Sequence, residues 1–255
     1  MTVGSRPSIS LVVITRDEQE LIGQCLASAS FCDELIVVDS NSTDRTVEIA
    51  EGLGAKVFHQ PFTGYVRQKQ IALDHASCEW VLLLDADEQA THDLAREIVS
   101  TISAPGAADG YRIQRVLYHL GHYYTRPIYR DRPVRLFRRD RGRSGGVEPH
   151  ASVIVNGRVE RLSSPILHFS YRDVADHVDT INRLSTQAAA EMEPSAFAAA
   201  RMFGHAVWRF FNFYILRGGF LDGGRGLYAA MAAAFYVFLK YAKSYERRLK
   251  TLHPR

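Results

Sequence analysis

The sequence predicts an α/β protein: a mainly parallel sheet with helices on both faces, followed by a C-terminal helical appendage. Three observations carry this. Through the first hundred residues, short runs that are apolar throughout alternate with segments of helical period, the pattern of buried parallel strands joined by right-handed crossovers. The run Val81-Leu82-Leu83-Leu84 ends in Asp85-Ala86-Asp87, so a core strand delivers two carboxylates at its exposed end. After Tyr171 the strand signals stop and long aromatic helices take over. The 255 residues, 46% of them hydrophobic, suffice for one large α/β domain plus that appendage.

The elements follow in order. Residues 9–14 read as a first strand, leading into Thr15-Arg16-Asp17-Glu18 and a helix with Leu21, Ile22, Cys25 and Leu26 on one face. Residues 34–38 form a second strand, followed by Asp39-Ser40-Asn41-Ser42-Thr43-Asp44 and a helix that stops at Gly54. A third strand spans 56–59 and a third helix 64–76; the fourth strand is 81–84, and Thr91 is placed to cap a helix reaching Ile102. Asn156-Gly157 lies between the strand-like runs 152–155 and 158–162 and signals a hairpin, so this region is expected to be β-rich and to form the acceptor side. Residues 173–192 are amphipathic, with Val174, Val178, Ile181 and Leu184 on one stripe, and two more helices are expected near 197–216 and 227–249.

In open parallel sheets ligands bind outside the carboxyl ends of the strands. Those ends are where Thr15, Asp17, Asp39, Asp85 and Asp87 fall. No G-x-G-x-x-G follows the first strand and no Walker A sequence occurs, which leaves a dinucleotide or P-loop site without support. Paired carboxylates suit a hard divalent cation, Mg²⁺ or Mn²⁺, and such a cation can hold a diphosphate. A bare D-x-D is also what an ordinary acidic loop after a core strand looks like.

Several separated blocks, in order, add to this. Residues 9–18, the block Asp33-Glu34-Leu35-Ile36-Val37-Val38-Asp39-Ser40-Asn41-Ser42-Thr43-Asp44-Arg45-Thr46, residues 64–73, Trp80 to Glu88, Arg135-Leu136-Phe137-Arg138-Arg139, Leu167-His168-Phe169-Ser170-Tyr171 with Ile181-Asn182-Arg183, and residues 217–223 together resemble the inverting family 2 glycosyltransferases with the GT-A fold. The resemblance is greatest to the small bacterial branch that includes lipopolysaccharide-core glucosyltransferases acting on heptose. It implies a GT-A catalytic domain over 1–171, donor-binding across 8–103 with an acceptor side at 110–171, and a membrane-proximal appendage over 172–255. It also implies transfer of a hexose from a nucleotide sugar, a uridine-diphosphate sugar being the first expectation, to a glycolipid or oligosaccharide acceptor.

The resemblance implies roles residue by residue. Asp39 would accept hydrogen bonds from nucleobase and ribose, with Thr15 and Asp17 in the same nucleotide-binding set; as a bare residue Asp39 also suits a turn before a helix. Asp44 fits a cap or turn. Of Arg67 and Lys69, Lys69 is favoured to neutralise phosphate charge. Asp87 would bind the metal, with Asp85 nearer the ribose, and His168 would complete the metal shell or touch the phosphates, although a histidine beside Ile166-Leu167 and Phe169 also fits a satisfied core position. Inversion needs a base for the acceptor hydroxyl. Relatives often carry His-Glu where this chain has His150-Ala151, so Glu148 is favoured, with His150 and Glu88 as alternatives.

Residues 126–143 hold eight arginines and two aspartates. Guanidinium forks match phosphate and carboxylate, pointing to an anionic acceptor or membrane, or else to a solvated basic edge; a formal charge of only +3 and no nucleic-acid fold signature argue against nucleic acid. The uncharged part of the last helix is too short to span a bilayer, which needs about 20 apolar residues, yet aromatic faces followed by Lys240, Lys243, Arg247, Arg248 and Lys250 describe a helix lying on an anionic membrane surface. Without a signal-peptide pattern the expected location is cytoplasmic, on the inner face of the membrane. Cys25, Cys32 and Cys78 lack metal-ligand spacing and are expected as reduced, buried thiols. Competing readings are a polyprenyl-phosphate or capsule-type sugar transferase, and a non-catalytic membrane-surface module with a degenerate transferase fold.

Overall fold

The computed structural model describes residues 6–125, 131–148, 150–193 and 198–252, with the backbone alone for His150 and for 198–200. The chain forms two compact units, one of residues 1–117 with 130–169, the other of 118–129 with 170–255. The second unit thus takes in a segment that the sequence reading assigns to the acceptor side.

In the first unit the chain runs β1 (Ile9–Thr15), α1 (Ile22–Ser28), β2 (Glu34–Asp39), α2 (Thr46–Gly52), β3 (Lys56–His59), α3 (Tyr65–Asp74), β4 (Trp80–Asp85), β5 (Glu88–Ala90) and α4 (His92–Ser103). It continues through the short strands β6 (Gly110–Arg112), β7 (Arg115–His119), β8 (His122–Tyr124), β9 (Val134–Arg138), β10 (Gly142–Val147), β11 (His150–Val155), β12 (Val159–Arg161) and β13 (Ile166–His168), of which β8 and the end of β7 belong to the second unit. The main sheet has seven strands in the order β12-β6-β9-β4-β1-β2-β3. β1, β2, β3 and β4 are parallel, as the apolar runs require. β9 departs from that plan, running antiparallel between β4 and β6, an arrangement that needs no crossover helix.

Successive side chains of a strand face opposite sides, so each apolar run feeds two cores. Ile9, Leu11 and Val13 pack with Ile22, Leu26, Leu94 and Ile98 on one face. Val12, Ile36, Val38 and Leu83 pack with Ala72 and Leu73 on the other. Thr91 caps α4 as expected, its side chain accepting from Leu94 N at 3.1 Å, a contact worth about 1 kcal/mol. Helix α3 starts instead at Gly64, whose φ of +107° is open to glycine, and receives its cap from outside: Glu148 accepts from Tyr65 N at 2.9 Å and Val66 N at 2.8 Å. The cysteines are all free, but only Cys25 is fully buried; Cys32 and Cys78 are half-buried, a correction to the expectation for those two.

The second unit is helical: α5 (Val174–Glu191), α6 (Ala198–Phe211), a π-helical turn Asn212–Leu216, a 3-10 turn Gly219–Asp222 and α7 (Gly223–Leu252). Asp173 caps α5, accepting from Asp176 N at 2.8 Å. The α5–α7 contact is polar. Lys243 Nζ donates to Asn182 Oδ1, at 2.7 Å, and to Ser185 Oγ, also at 2.7 Å, and Arg247 donates to Ala190 O at 2.9 Å; Lys243 is half-buried in this contact and Arg247 stays exposed. Tyr228 joins α7 to α5, with His177 Nδ1 2.7 Å from its hydroxyl and the His177 ring stacked on Tyr171 at 3.8 Å. Among the described residues no helix is long and apolar enough to cross a membrane.

Candidate active site

The site is built where β1, β2 and β4 end. Thr15 pairs in register with Asp39, and Ile14 with Asp85, so parallel pairing alone brings these tips to one edge. Asp39 is buried. Its carboxylate accepts from Ser42 N at 3.0 Å and from the Ser42 hydroxyl, and His59 Nδ1 lies 3.5 Å away. Asp17, at φ +53°, accepts from Thr43 N at 2.7 Å and so ties the loop after β1 to the loop after β2. Asp44 serves as the expected turn residue, accepting from Thr46 N at 3.0 Å and Gln19 N at 3.1 Å. Beneath this edge two buried polar atoms have no protein partner, Thr15 Oγ1 and Gln68 Oε1, while Gln68 Nε2 donates to Ser40 Oγ at 3.0 Å. Orphaned buried acceptors are costly unless something binds them, and their place beside Asp39 suits a nucleoside.

Around Asp85 lies a charge network whose depth the sequence reading did not foresee. Lys69 Nζ is 2.7 Å from Asp85 Oδ1, and Arg135 Nη2 is 2.5 Å from both Asp85 Oδ2 and Glu88 Oε1. Arg115 Nη1 adds contacts of 3.2 Å to Glu88 and 3.8 Å to Asp85, and its other end pairs with Asp131. Glu88 has no exposure, and its second oxygen accepts from Asp85 N at 3.0 Å. Burial alone would raise the Asp85 carboxyl, but Arg135 and then Lys69 outweigh it and hold the group well below the usual carboxylate range. Burial works against the Arg135 charge, yet Asp85 and Glu88 leave its pKa raised. Asp85 is thus an ionised, charge-compensated group. Glu88, considered as the base, is sealed beneath it with both oxygens engaged and out of reach of an acceptor hydroxyl.

Asp87 is arranged differently. Its carboxylate meets His168 Nε2 at 3.1 Å, the two side chains being 26% and 20% exposed. Asp87 O accepts from Phe169 N at 2.8 Å, and β13 pairs with β5 so that His168 lies opposite Glu88. The chain folds back across 80 residues to set an imidazole against the second carboxylate of the triplet. A carboxylate oxygen and an imidazole nitrogen are both suitable donors to a divalent cation. They make a pair and not a full shell: among the described residues no group of three or more His, Cys, Asp or Glu could hold a metal. The donor set therefore fits a cation whose other ligands come from substrate oxygens or water, as is usual for Mg²⁺ on phosphates.

The remaining sequence candidates are placed as follows. Glu148 is exposed at the end of the β10–β11 hairpin, clasped on the α3 amides. His150 pairs with Val147 through the backbone, and its side chain lies outside the described residues. Lys69 faces Asp85 instead of standing open for a phosphate. Two arginines of the arginine-rich segment are structural: Arg135 is buried, and Arg138 pairs with Glu79 at 2.5 Å and lies over the Trp80 ring. For Arg135 and Arg138 this replaces the expectation that they face an acceptor or a membrane, while Arg139, Arg141 and Arg143 are exposed. Arg126 and Arg130 fall outside the described residues. Sequence reasoning missed Arg115 and Gln68; a charged residue inside the apolar run Val134-Arg135-Leu136-Phe137 was the available signal for the buried network.

Comparison with known proteins agrees with this geometry. The family model described as Glycosyl transferase family 2 matches residues 10–154. The lipopolysaccharide core biosynthesis glycosyltransferase LpsC of Rhizobium meliloti is 29% identical over 96% of this chain and 95% of its own length. An uncharacterized glycosyltransferase of Rickettsia felis is 32% identical over 95% of this chain and 91% of its own. Among solved structures, S. aureus TarS 1-349 in complex with UDP-GlcNAc matches with a TM-score of 0.50 and 16% identity, covering 97% of this chain and 93% of that one, a likeness of fold alone. Strand-end carboxylates on a GT-A sheet, a matching family model over more than half the chain and relatives alike along nearly their full length lead to one conclusion: this chain belongs to glycosyl transferase family 2 and is a sugar-transferring enzyme.

Proposed function

We propose that the protein transfers a hexose, with inversion, from a nucleoside-diphosphate sugar to a lipopolysaccharide-core or related cell-envelope glycan, with a divalent cation held by Asp87 and His168. The observation that carries this reading is the Asp87–His168 pair at 3.1 Å beside a neutralised Asp85. When bound, the cation supplies Lewis-acid stabilisation of the charge that develops on the departing diphosphate. The protein's own part is positional. Asp39, Thr15 and Gln68 offer acceptors to the base and ribose, uridine being the preferred base, and Asp85, fixed by Lys69 and Arg135, offers a rigid acceptor to a ribose hydroxyl.

Deprotonation of the acceptor hydroxyl falls to the β10–β11 hairpin, through Glu148 or the neighbouring His150. Glu148 is exposed, and to act as the base it must leave the two α3 amides it caps. The lipopolysaccharide acceptor is supported by the LpsC relative, which aligns over nearly the whole of both chains. Transfer assays on Asp87→Asn and His168→Ala with saturating Mg²⁺ or Mn²⁺ test the reading: both should lose at least about 100-fold in kcat. Near-native turnover in Asp87→Asn would end it.

A further inference from the structure

The helical unit carries an apolar face that the sugar-transfer reading does not use. On α6, Met202, Ala206 and Phe210 are half-buried, while Phe203, Val207 and Phe211, each one residue further on, are 72%, 50% and 43% exposed. On α7, Gly226, Ala230 and Ala234 are buried, while Leu227, Met231 and Phe235, again one residue on, are 41%, 56% and 42% exposed. The two helices are antiparallel: His205, early in α6, bonds Tyr241, late in α7, at 2.7 Å, and Tyr214 meets Phe220 near the turn between them. One residue is a rotation of about 100° on a helix. In an antiparallel pair the same offset on both members carries both stripes to the same side, so two exposed apolar rows lie next to one another. Trp208 flanks them, its ring 6.1 Å from Phe211 and 58% exposed.

Large aromatic and aliphatic side chains at such exposure on adjacent helices mark an interaction surface. Charge selects the occupant. Residues 198–252 hold nine Lys and Arg against two Asp and Glu, and seven cations remain when Lys243 and Arg247, engaged on α5, are set aside, whereas the whole chain sums to +3. A second copy docked face to face would set one basic helical segment against another, which is repulsive. An anionic lipid surface is complementary to it, and the aromatic, basic composition is that of an interfacial helix pair. We infer that the shared face of α6 and α7 lies in the headgroup layer of an anionic bilayer, with Phe203, Phe211, Met231 and Phe235 entering the acyl boundary.

The chain's two tryptophans supply the readout. Trp80 is wholly buried in the sheet core and Trp208 is exposed, so a change of emission on adding vesicles reports Trp208. The full chain should sediment with phosphatidylcholine vesicles containing 30% phosphatidylglycerol, with a blue shift of emission, and should do so weakly on phosphatidylcholine alone. Raising the salt should release it. Phe203→Asp combined with Met231→Asp, both at exposed positions, should weaken partitioning roughly tenfold or more while leaving the thermal melt unchanged. The inference is overturned if the wild-type chain shows no anionic-lipid-dependent shift, or if the double variant binds vesicles as well as the wild type. It is equally overturned if light scattering finds a stable dimer that the double variant dissociates, which would assign the face to a second copy. None of these outcomes bears on donor binding, so a failure here is distinct from a failure of the sugar-transfer reading.

Discussion

Arg135 is the residue whose removal should be felt most in the catalytic unit, and the size of the effect can be worked from its contacts. It is 3% exposed and reaches Asp85 and Glu88 at 2.5 Å each. Arg135→Met preserves most of the volume and removes the charge, leaving two carboxylates at a covered site. Stripping one member from a buried ion pair costs about 3–5 kcal/mol. Arg115 stays in place, 3.2 Å from Glu88, and Lys69 stays on Asp85, so the loss should fall at the lower end, about 3 kcal/mol, or roughly 6–12 °C in Tm. The pH dependence is diagnostic. Asp85 is depressed in the folded protein, so its contribution is present above the unfolded carboxyl pKa of about 3.9 and is lost as pH falls below it. In the variant that depression is relieved and protonation removes the unpaired charge, so the penalty should shrink between pH 7 and pH 4.5. Urea unfolding followed by Trp80 emission in a Trp208→Phe background measures both quantities. A loss under about 1 kcal/mol, or one equal at the two pH values, would refute the network's role.

Three further expectations concern single groups. Burial would raise Glu34, but hydrogen bonds from Lys56, Ser10 and Ser77 bring it down to about 2; its stabilisation, about 2–3 kcal/mol, is present above pH 4.5 and lost toward pH 2, and Glu34→Gln should flatten that acid limb in a urea series. In the helical unit burial, and then His119, push His177 down to about 4; a folded pKa below the free value of 6.5 means stability that is full above pH 6.5 and falls toward pH 4, and hydrogen exchange of α5 should show that fall in the wild type and a smaller one in His177→Phe, where His119, also lowered by burial, remains. Glu148 separates two roles: as a cap of α3 alone, Glu148→Ala should cost about 1 kcal/mol of stability, whereas a base role requires kcat in Glu148→Gln to drop about 100-fold or more with stability nearly intact.

The parallel sheet was legible because its strands are apolar on both faces, and β3 fell at 56–59 as read. The strand-end residues followed from topology, since pairing in register places Thr15 beside Asp39 and Ile14 beside Asp85 without any side-chain information. What could not be read was pairing across distance. Nothing local in the sequence says that Arg135 turns inward to Asp85, 50 residues away, or that Glu148 caps a helix 82 residues earlier. The arginine-rich stretch points by its density of guanidinium to an anionic acceptor or membrane, but β9 buries Arg135 together with its apolar neighbours Val134, Leu136 and Phe137. The long helix α7 was read as shorter than its span of Gly223–Leu252, because glycines at 223, 224 and 226 disfavour helix and the packing of Gly226 against Gly219 outweighs that preference.

Everything proposed for the site requires a diphosphate held through a cation at Asp87 and His168. Calorimetric titration of the full chain with uridine diphosphate, with and without Mn²⁺, addresses it most directly when the wild type is compared with Asp87→Asn and His168→Ala. Mn²⁺-dependent binding is expected in the wild type and should weaken about tenfold or more in each variant. Binding of equal strength without the cation, or unchanged in Asp87→Asn, would contradict it.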